Sequence, residues 1–468
     1  MAEVINQSGQ NGLYQTINYL TFFGNAEHRM GYVNPVELRS IFSQPPASPL
    51  HVLEEQIELF EELDALCQEI FKQGLTLDPL SKMINLRVGK SKIPAPPVDS
   101  VTREYREALT ALPFLSEQGD GMKSLIGLLL PLVTATYPVV LIDEPEAFLH
   151  PPQALRLGRT LGEQAASKGI QIILTTHDKN ILAGLLYSGA NISIARLDRP
   201  EHGATAAHQL DVPTVKELWS DPVLKYSNVL DGLFYRLVVL TEAERDCRFY
   251  AASLEDLATK EQLRIPDSEV LFVPSGGKDG LPRLVKILRS VKVPVVASPD
   301  LDILKDKAKL RLLVSSFEGD WTQLEKDYDI ATAPFRQPRE KLRVGAVLSN
   351  LQAIFRDRES EDVTTEIRKE FTDQLRLKDS PWDDVKQFGE HAFRKEAGAA
   401  AQRLLDALDR LGIVAVRVGE LECFAPDLSV AKGPAWLPAA LMGGYHTRPD
   451  AHRHVRAALG PHLGSTQN

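Results

Sequence analysis

Cysteine is scarce: the 468 residues hold three, Cys67, Cys247 and Cys423, far apart and without any CxxC spacing. That excludes a disulfide framework and a cysteine-built zinc site, and it suits a reducing compartment. Long apolar runs are missing too. The nearest, LIGLLLPLVTATYPVVLI at 125–142, is cut by Pro131 and Pro138 into a helix and a strand. Nothing therefore reaches the roughly 20 residues of a membrane span. The opening MAEVINQSGQNG has neither a basic start nor an apolar signal core, so a cytoplasmic protein without membrane contact is expected. Positive charge is not in excess either. A formal net charge of −10 excludes a uniformly basic nucleic-acid binder, yet it permits a local basic surface, because the field that steers a ligand is local.

What is present reads as two α/β units. From 115 onward a glycine turn precedes a helix (123–136), a strand (138–142), a helix (151–168), the strand GIQIILTTH (169–177), a helix and the strand NISIARL (191–197). Apolar strands alternating with amphipathic helices predict a parallel sheet covered on both faces. Upstream, HVLEEQIELFEELDALCQEIFKQ (51–73) has helical spacing, and GLTLDPLSKMINLRV alternates as strands do. A second unit begins near 232 with LFYRLVVL, EVLFVPS and PVVASPD as strands. The expected division is 1–230, 231–302, a charged helical insertion over 303–410, a return to the second sheet over 411–445, and a flexible tail over 446–468.

In VVLIDEPEAFLHPP (139–152) a strand ends in Asp143 and Glu144. Ligands of open α/β sheets bind at that edge. There Asp143 would hold Mg2+ and Glu144 would polarise a water, although two such acids can also simply open a loop. LSEQGDGMKS (115–124) opens a helix with Gly119 and Gly121, an arrangement suited to an anion. LTTHD (174–178) ends the next strand with His177, a hydrogen-bond donor for a γ-phosphate. Glycine turn, Asp-Glu and histidine, in this order, resemble the ABC-type ATPase fold in the branch that includes SMC- and Rad50-like proteins and the OLD (overcoming lysogenisation defect) family. The resemblance implies that 115–124 is the signature motif, 139–144 Walker B, 147–153 the D-loop and His177 the switch histidine. It also implies ATP as a ligand and a homodimer or higher homo-oligomer formed through this domain.

A phosphate cradle of the form GxxxxGK[ST] is wanting. The one Gly-Lys-Ser, Gly89–Lys90–Ser91, has Ile84 at the first glycine position. GQNGLYQT (9–16) has Tyr14 for a glycine and Gln15 for the lysine. Either the chain begins part-way through the ATPase domain or the lobe has lost its cradle.

The second unit carries carboxylates. Glu242 lies just past a strand with Asp246 four residues on, and PVVASPDLDIL ends another strand with Asp300 and Asp302. On one parallel sheet all four would meet at the C-terminal edge, where they repel one another unless divalent cations intervene. Taken singly, these acids could be turn or helix-start residues. Jointly they suit a phosphodiesterase site with two ions about 4 Å apart. The pattern resembles the TOPRIM domain of topoisomerases, primases and OLD nucleases, with Ala243 in place of the motif glycine. PSGGKDGLPRLVKIL (274–288), GELECF (419–424) and AKGPAWLPAAL (431–441) resemble the OLD version. By that resemblance Glu420 and Glu422 would assist the metals and Lys432 would touch a phosphate.

The expected fold is thus α/β: a partial ABC-type ATPase lobe plus a TOPRIM domain with a helical insertion. The expected function is that of an OLD-like, Mg2+- or Mn2+-dependent DNA endonuclease regulated by the ATPase-like domain, in defence against phage or foreign DNA. Catalysis would rest on Glu144, His177, Glu242 and Asp300. DNA would be the substrate, reached in part by Arg336, Arg339, Lys341, Arg343, Arg356 and Arg358, and a partner protein is allowed for. The alternative is a non-cleaving, ATPase-derived regulator or scaffold. Without a recognisable cradle, poor ATP binding is expected. Calorimetry showing micromolar affinity for ATP with Mg2+ would overturn this.

Overall fold

The computed structural model describes residues 20–40, 44–80, 82–134, 137–198, 204–220, 228–336, 344–356, 358, 362–375 and 380–460. Contacts divide the chain into two units: 1–193 with 211–215, and 194–210 with 216–468. The stretch GQNGLYQT falls outside the described residues.

In the first unit, strands β1 (Thr21–Gly24), β5 (Val139–Asp143) and β6 (Gln171–Thr175) form a parallel sheet with β5 in the centre. The register sets Asp143 beside Thr175. A smaller antiparallel sheet joins β2 (Val36–Glu37), β4 (Met83–Val88) and β3 (Leu75–Asp78). Phe22, Val140, Ile142, Ile172 and Leu174 pack into one core with the Asp120–Thr134 and Pro151–Lys168 helices. Residues 124–133 of the first helix are buried throughout, which is why its sequence is apolar on every side. The opposite sheet face departs from the expected double cover. Phe23 and Ile173, in register on either side of Leu141, are about half exposed. These strands alternate, because both helices lie on one face only.

Two further expectations change. The helix over 51–73 is two helices, Pro49–Glu55 and Ile57–Phe71, broken where Gln56 takes an extended conformation. The strand at 191–197 does not continue the parallel sheet. As β7 (Ile194–Asp198) it pairs antiparallel with β8 (Ala206–Leu210). Arg196 anchors it to the second unit by donating to the carbonyls of Leu233 (3.3 Å) and Lys292 (3.1 Å).

The second unit is built on β10 (Val270–Pro274), β9 (Leu237–Thr241) and β11 (Val295–Ser298), all parallel, with β9 central. β9 and β11 are buried at every residue, as expected for parallel strands covered on both faces. Residues 412–419 run beside β11: Val414 N–H donates to Ala297 O (2.8 Å) and Leu301 N–H to Gly419 O (2.9 Å). The helical segment that follows β11 includes Lys307–Ser316, Trp321–Thr332, Trp382–Phe388 and Lys395–Leu411.

The flexible tail expected from 446 is corrected as far as residue 460. Pro449–Leu459 is a helix whose Ala451, His454, Val455, Ala458 and Leu459 are buried against the Glu244–Lys260 helix and the sheet. Half of its buried apolar stripe is alanine, Ala451 and Ala458, so it was masked by the histidines and arginines around it. His454 Nε2 meets Ser298 Oγ at 2.8 Å at the end of β11. Burial pulls its pKa down to about 4, aided by Arg417, so the ring is neutral.

Close packing in the first unit depends on glycine. A Cβ on Gly184, in the Lys179–Tyr187 helix, would lie 2.0 Å from Leu155 O and 2.8 Å from Arg159 N. Gly184→Ala should therefore destabilise by about 2 kcal/mol or more. Gly31→Ala, which meets nothing within 4 Å, should be near neutral. Calorimetric unfolding of the two variants compares them directly.

Candidate functional site

In the first unit, β5 delivers Asp143 and then turns sharply. Glu144 adopts φ +45°, a left-handed conformation uncommon for a side-chain-bearing residue. The turn is held from two directions. Glu144 N–H donates to Thr175 O at 3.1 Å. Arg29, fully buried, donates to Glu144 O (3.0 Å), Pro145 O (3.2 Å) and Asn25 O (3.2 Å). Burial lowers the Arg29 pKa, against the opposing pull of Glu146, Asp143 and Glu144. The Thr175 hydroxyl donates to Asp143 Oδ1. His177 Nδ1 lies 3.3 Å from Glu144 Oε1 and 3.5 Å from Glu146 Oε1. Asp143, Glu144 and His177 are thus brought together, as the spacing suggested.

The glycine turn lies against the same loop. A Cβ on Gly121 would come within 2.6 Å of Phe148 O, whereas Gly119 faces open space. Two contributors were missed in the sequence. Glu146 is buried and accepts from Thr176 Oγ1 (2.8 Å) and His177 N–H (3.2 Å), while its Oε2 has no hydrogen-bond partner among the described residues. Its signal was the third acid of DEPE. Arg29 carried no local signal at all.

In the second unit, Glu242, Asp300 and Asp302 offer carboxylate oxygens within 4.8 Å of one another. The sheet edge sets them. Glu242 follows β9, and its backbone carbonyl accepts from Gly277 N–H (2.9 Å). Its Oε1 accepts from Asp300 N–H (3.0 Å), tying the ends of β9 and β11 together. Asp302, on a 3-10 turn after β11, is buried. Asp246 does not join this cluster among the described residues. It caps its own helix by accepting from Ala243 N–H at 2.8 Å. Ala243 has an ordinary extended backbone, φ −138°, so no glycine is needed there.

Two lysines to which the sequence pattern assigned no role, Lys278 and Lys386, complete the site. Lys278 Nζ bonds Asp302 Oδ1 and stands 3.9 Å from Glu242 Oε1, and Lys386 Nζ lies 3.2 Å from Asp302 Oδ2. Lys432 bridges Glu420 (2.9 Å) and Glu422 (3.2 Å), and Arg245 reaches Glu422 at 3.4 Å. Cys247 is buried at 3.0 Å from Thr241 Oγ1, and burial pushes its thiol up to about 12, so it packs rather than reacts. Of the arginines expected to meet phosphates, Arg336 pairs with Asp329 and Arg358 with Glu370. Arg339, Lys341 and Arg343 lie outside the described residues.

The charges explain the titration. Burial, then Glu242, Asp246 and Asp302, push Asp300 up to about 8. Burial also raises Glu242 and Asp246. At Asp302 burial acts in the same direction but is outweighed by Lys278 and Lys386, which hold the group below the usual range.

Residues 26–183 match an AAA-domain family described as a putative AbiEii toxin of a type IV toxin–antitoxin system. The chain is also 27% identical over 259 residues to the OLD nuclease of Thermus scotoductus, a match covering 53% of this chain and 47% of that one. The first similarity lies within the first unit, and both cover only part of the chain. The chain spans about half the length of that curated relative. Among solved structures, two resemble part of it at 16% identity. One, from work on ATP-driven dimerization and DNA-stimulated activation of SMC ATPases, has a TM-score of 0.24 and covers 34% of this chain and 91% of its own. The other, an SmcHead bound to the C-winged helix domain of ScpA, has a TM-score of 0.27 and covers 41% and 56%. Likeness this slight carries no weight in the reading that follows.

Because the folded pKa of Asp300 lies above its ordinary 3.8, the folded state holds this proton more tightly than the unfolded chain does. The associated stability is present below about pH 3.8 and is lost as pH rises toward about 8. In chelator, the stability of wild type relative to Asp300→Asn should fall across this window. Denaturation at pH 5, 7 and 8.5 measures it, and a constant difference would contradict the assignment.

Proposed function

We propose that the chain is an OLD-like, metal-dependent DNA endonuclease whose ATPase-like unit dimerises and regulates it. The reading rests on the convergence of Glu242, Asp300 and Asp302 within 4.8 Å at the edge of a parallel sheet. Three hard oxygen donors, mutually repelling and partly desolvated, fit Mg2+ or Mn2+ rather than a softer ion. Bound there, such an ion would supply Lewis acidity and a water of lowered pKa. The protein's own part is positional. Glu242 is fixed by Asp300 N–H, while Lys278, Lys386, Lys432 and Arg245 place positive charge around an otherwise anionic centre. That charge lets a phosphodiester approach. The triad gathers ligands for one ion, and Asp246, whose Oδ2 caps its own helix, stands outside it among the described residues.

The name of the Thermus relative supports nuclease chemistry, and the AAA match supports a nucleotide-responsive first unit. There, Asp143 and Glu144 would serve an ATP-bound Mg2+, His177 the γ-phosphate, and the Gly119–Gly121 turn the ATP of a second copy. Cleavage of DNA, and through it defence against phage or foreign DNA, follows from this reading.

The test is incubation of supercoiled plasmid with Mg2+ or Mn2+, with and without ATP. Nicking should appear with metal and fall about a hundredfold or more in Glu242→Ala and Asp300→Ala. Absence of nicking under every metal would favour the non-cleaving regulator instead.

A further inference from the structure

Of the cations around the acids, Lys278 touches two members of the triad at once. Its ammonium bonds Asp302 Oδ1 and lies 3.9 Å from Glu242 Oε1, so it stands between two of the three acids. The other oxygen of Asp302 is taken by Lys386 at 3.2 Å, and Glu242 Oε1 is taken by Asp300 N–H at 3.0 Å. Lys278 therefore supplies the counter-charge that a shared cation would supply. A divalent ion cannot occupy the triad cheaply beside this ammonium, since a like charge that close in a partly desolvated site repels it.

The two lysines are tethered differently. Lys386 rises from the Trp382–Phe388 helix. Lys278 follows Gly276 and Gly277, which have φ of +73° and +109° and would meet nothing within 4 Å of an added Cβ. The glycines leave space on the outer side of the loop, and although the Lys278 stem is mostly covered, its four flexible carbons can swing the ammonium outward from the acids.

We propose, on the basis of the metal reading above, that Lys278 is a resident counter-ion of the Glu242–Asp300–Asp302 site, displaced outward when a divalent cation loads. It holds the acids together without metal and sets a threshold below which the site stays unloaded. Lys386 stays on Asp302 in both states.

Mn2+ is the probe, titrated calorimetrically into the full chain. Lys278→Met should tighten Mn2+ binding roughly tenfold or more, with a smaller change in Lys386→Met, and Glu242→Gln should abolish it. On the wild type, acetylation of lysines read by mass spectrometry should show Lys278 reacting several-fold faster with Mn2+ than without, and Lys386 unchanged. This second measurement does not depend on any variant folding. If wild type binds Mn2+ through Glu242 but Lys278→Met binds no tighter, or Lys278 labelling does not rise, the counter-ion role is wrong while the metal site stands. If neither wild type nor Lys278→Met binds Mn2+, the metal reading falls and the inference with it.

Discussion

Repulsion among three carboxylates is the constraint around which the second unit is arranged. Glu242, Asp300 and Asp302 are fixed to neighbouring strand ends, and the bond from Asp300 N–H to Glu242 Oε1 prevents them from drifting apart. In water such groups would separate. Here the buried strands β9 and β11 do not allow it, so burial and the neighbouring acids raise the proton affinity of Asp300 while lysines are drawn onto Asp302. A raised and a depressed acid side by side are what one cluster produces when its counter-charge falls mainly on one member.

The first unit meets a related demand by other means. Its acids stand at the end of a sheet that is open on one face, and Glu144 is held in a left-handed turn. Instead of lysines at the carboxylates, a single buried arginine binds the backbone carbonyls beneath them, including those of Glu144 and Pro145. Arg29 thus stabilises the shape of the turn, and its charge is balanced by Glu146, Asp143 and Glu144 without taking up their oxygens. The carboxylates are left to Thr175, Thr176 and His177.

Much of this was legible in the chain. The continuous apolar runs at 237–241 and 295–298 announced covered parallel strands, and the acids that follow them announced the site edge. The place of Asp246 was not legible, because spacing alone does not tell an acid that turns inward from one that caps its own helix. Arg29 and Lys386 were invisible because their partners lie far away in sequence, and Lys278 sat unread inside a quoted motif. The helix at 449–459 was missed because alanines bury little area each, so a stripe of them barely registers against the histidines alongside. Local pattern reports strands and motifs well. It reports long-range ion pairs and small-residue packing poorly.

The strand-like segment 412–419 and the helix carrying His454 complete the side of the sheet that bears Asp300. Both leave the ribosome long after the three acids. A nascent chain therefore carries the carboxylates for some time on a sheet that lacks its outer neighbour and the Ser298–His454 contact. Contacts so distant in sequence also form late in refolding. Order of synthesis thus leaves the acid cluster incompletely enclosed until segment 412–419 and the helix of His454 have been made.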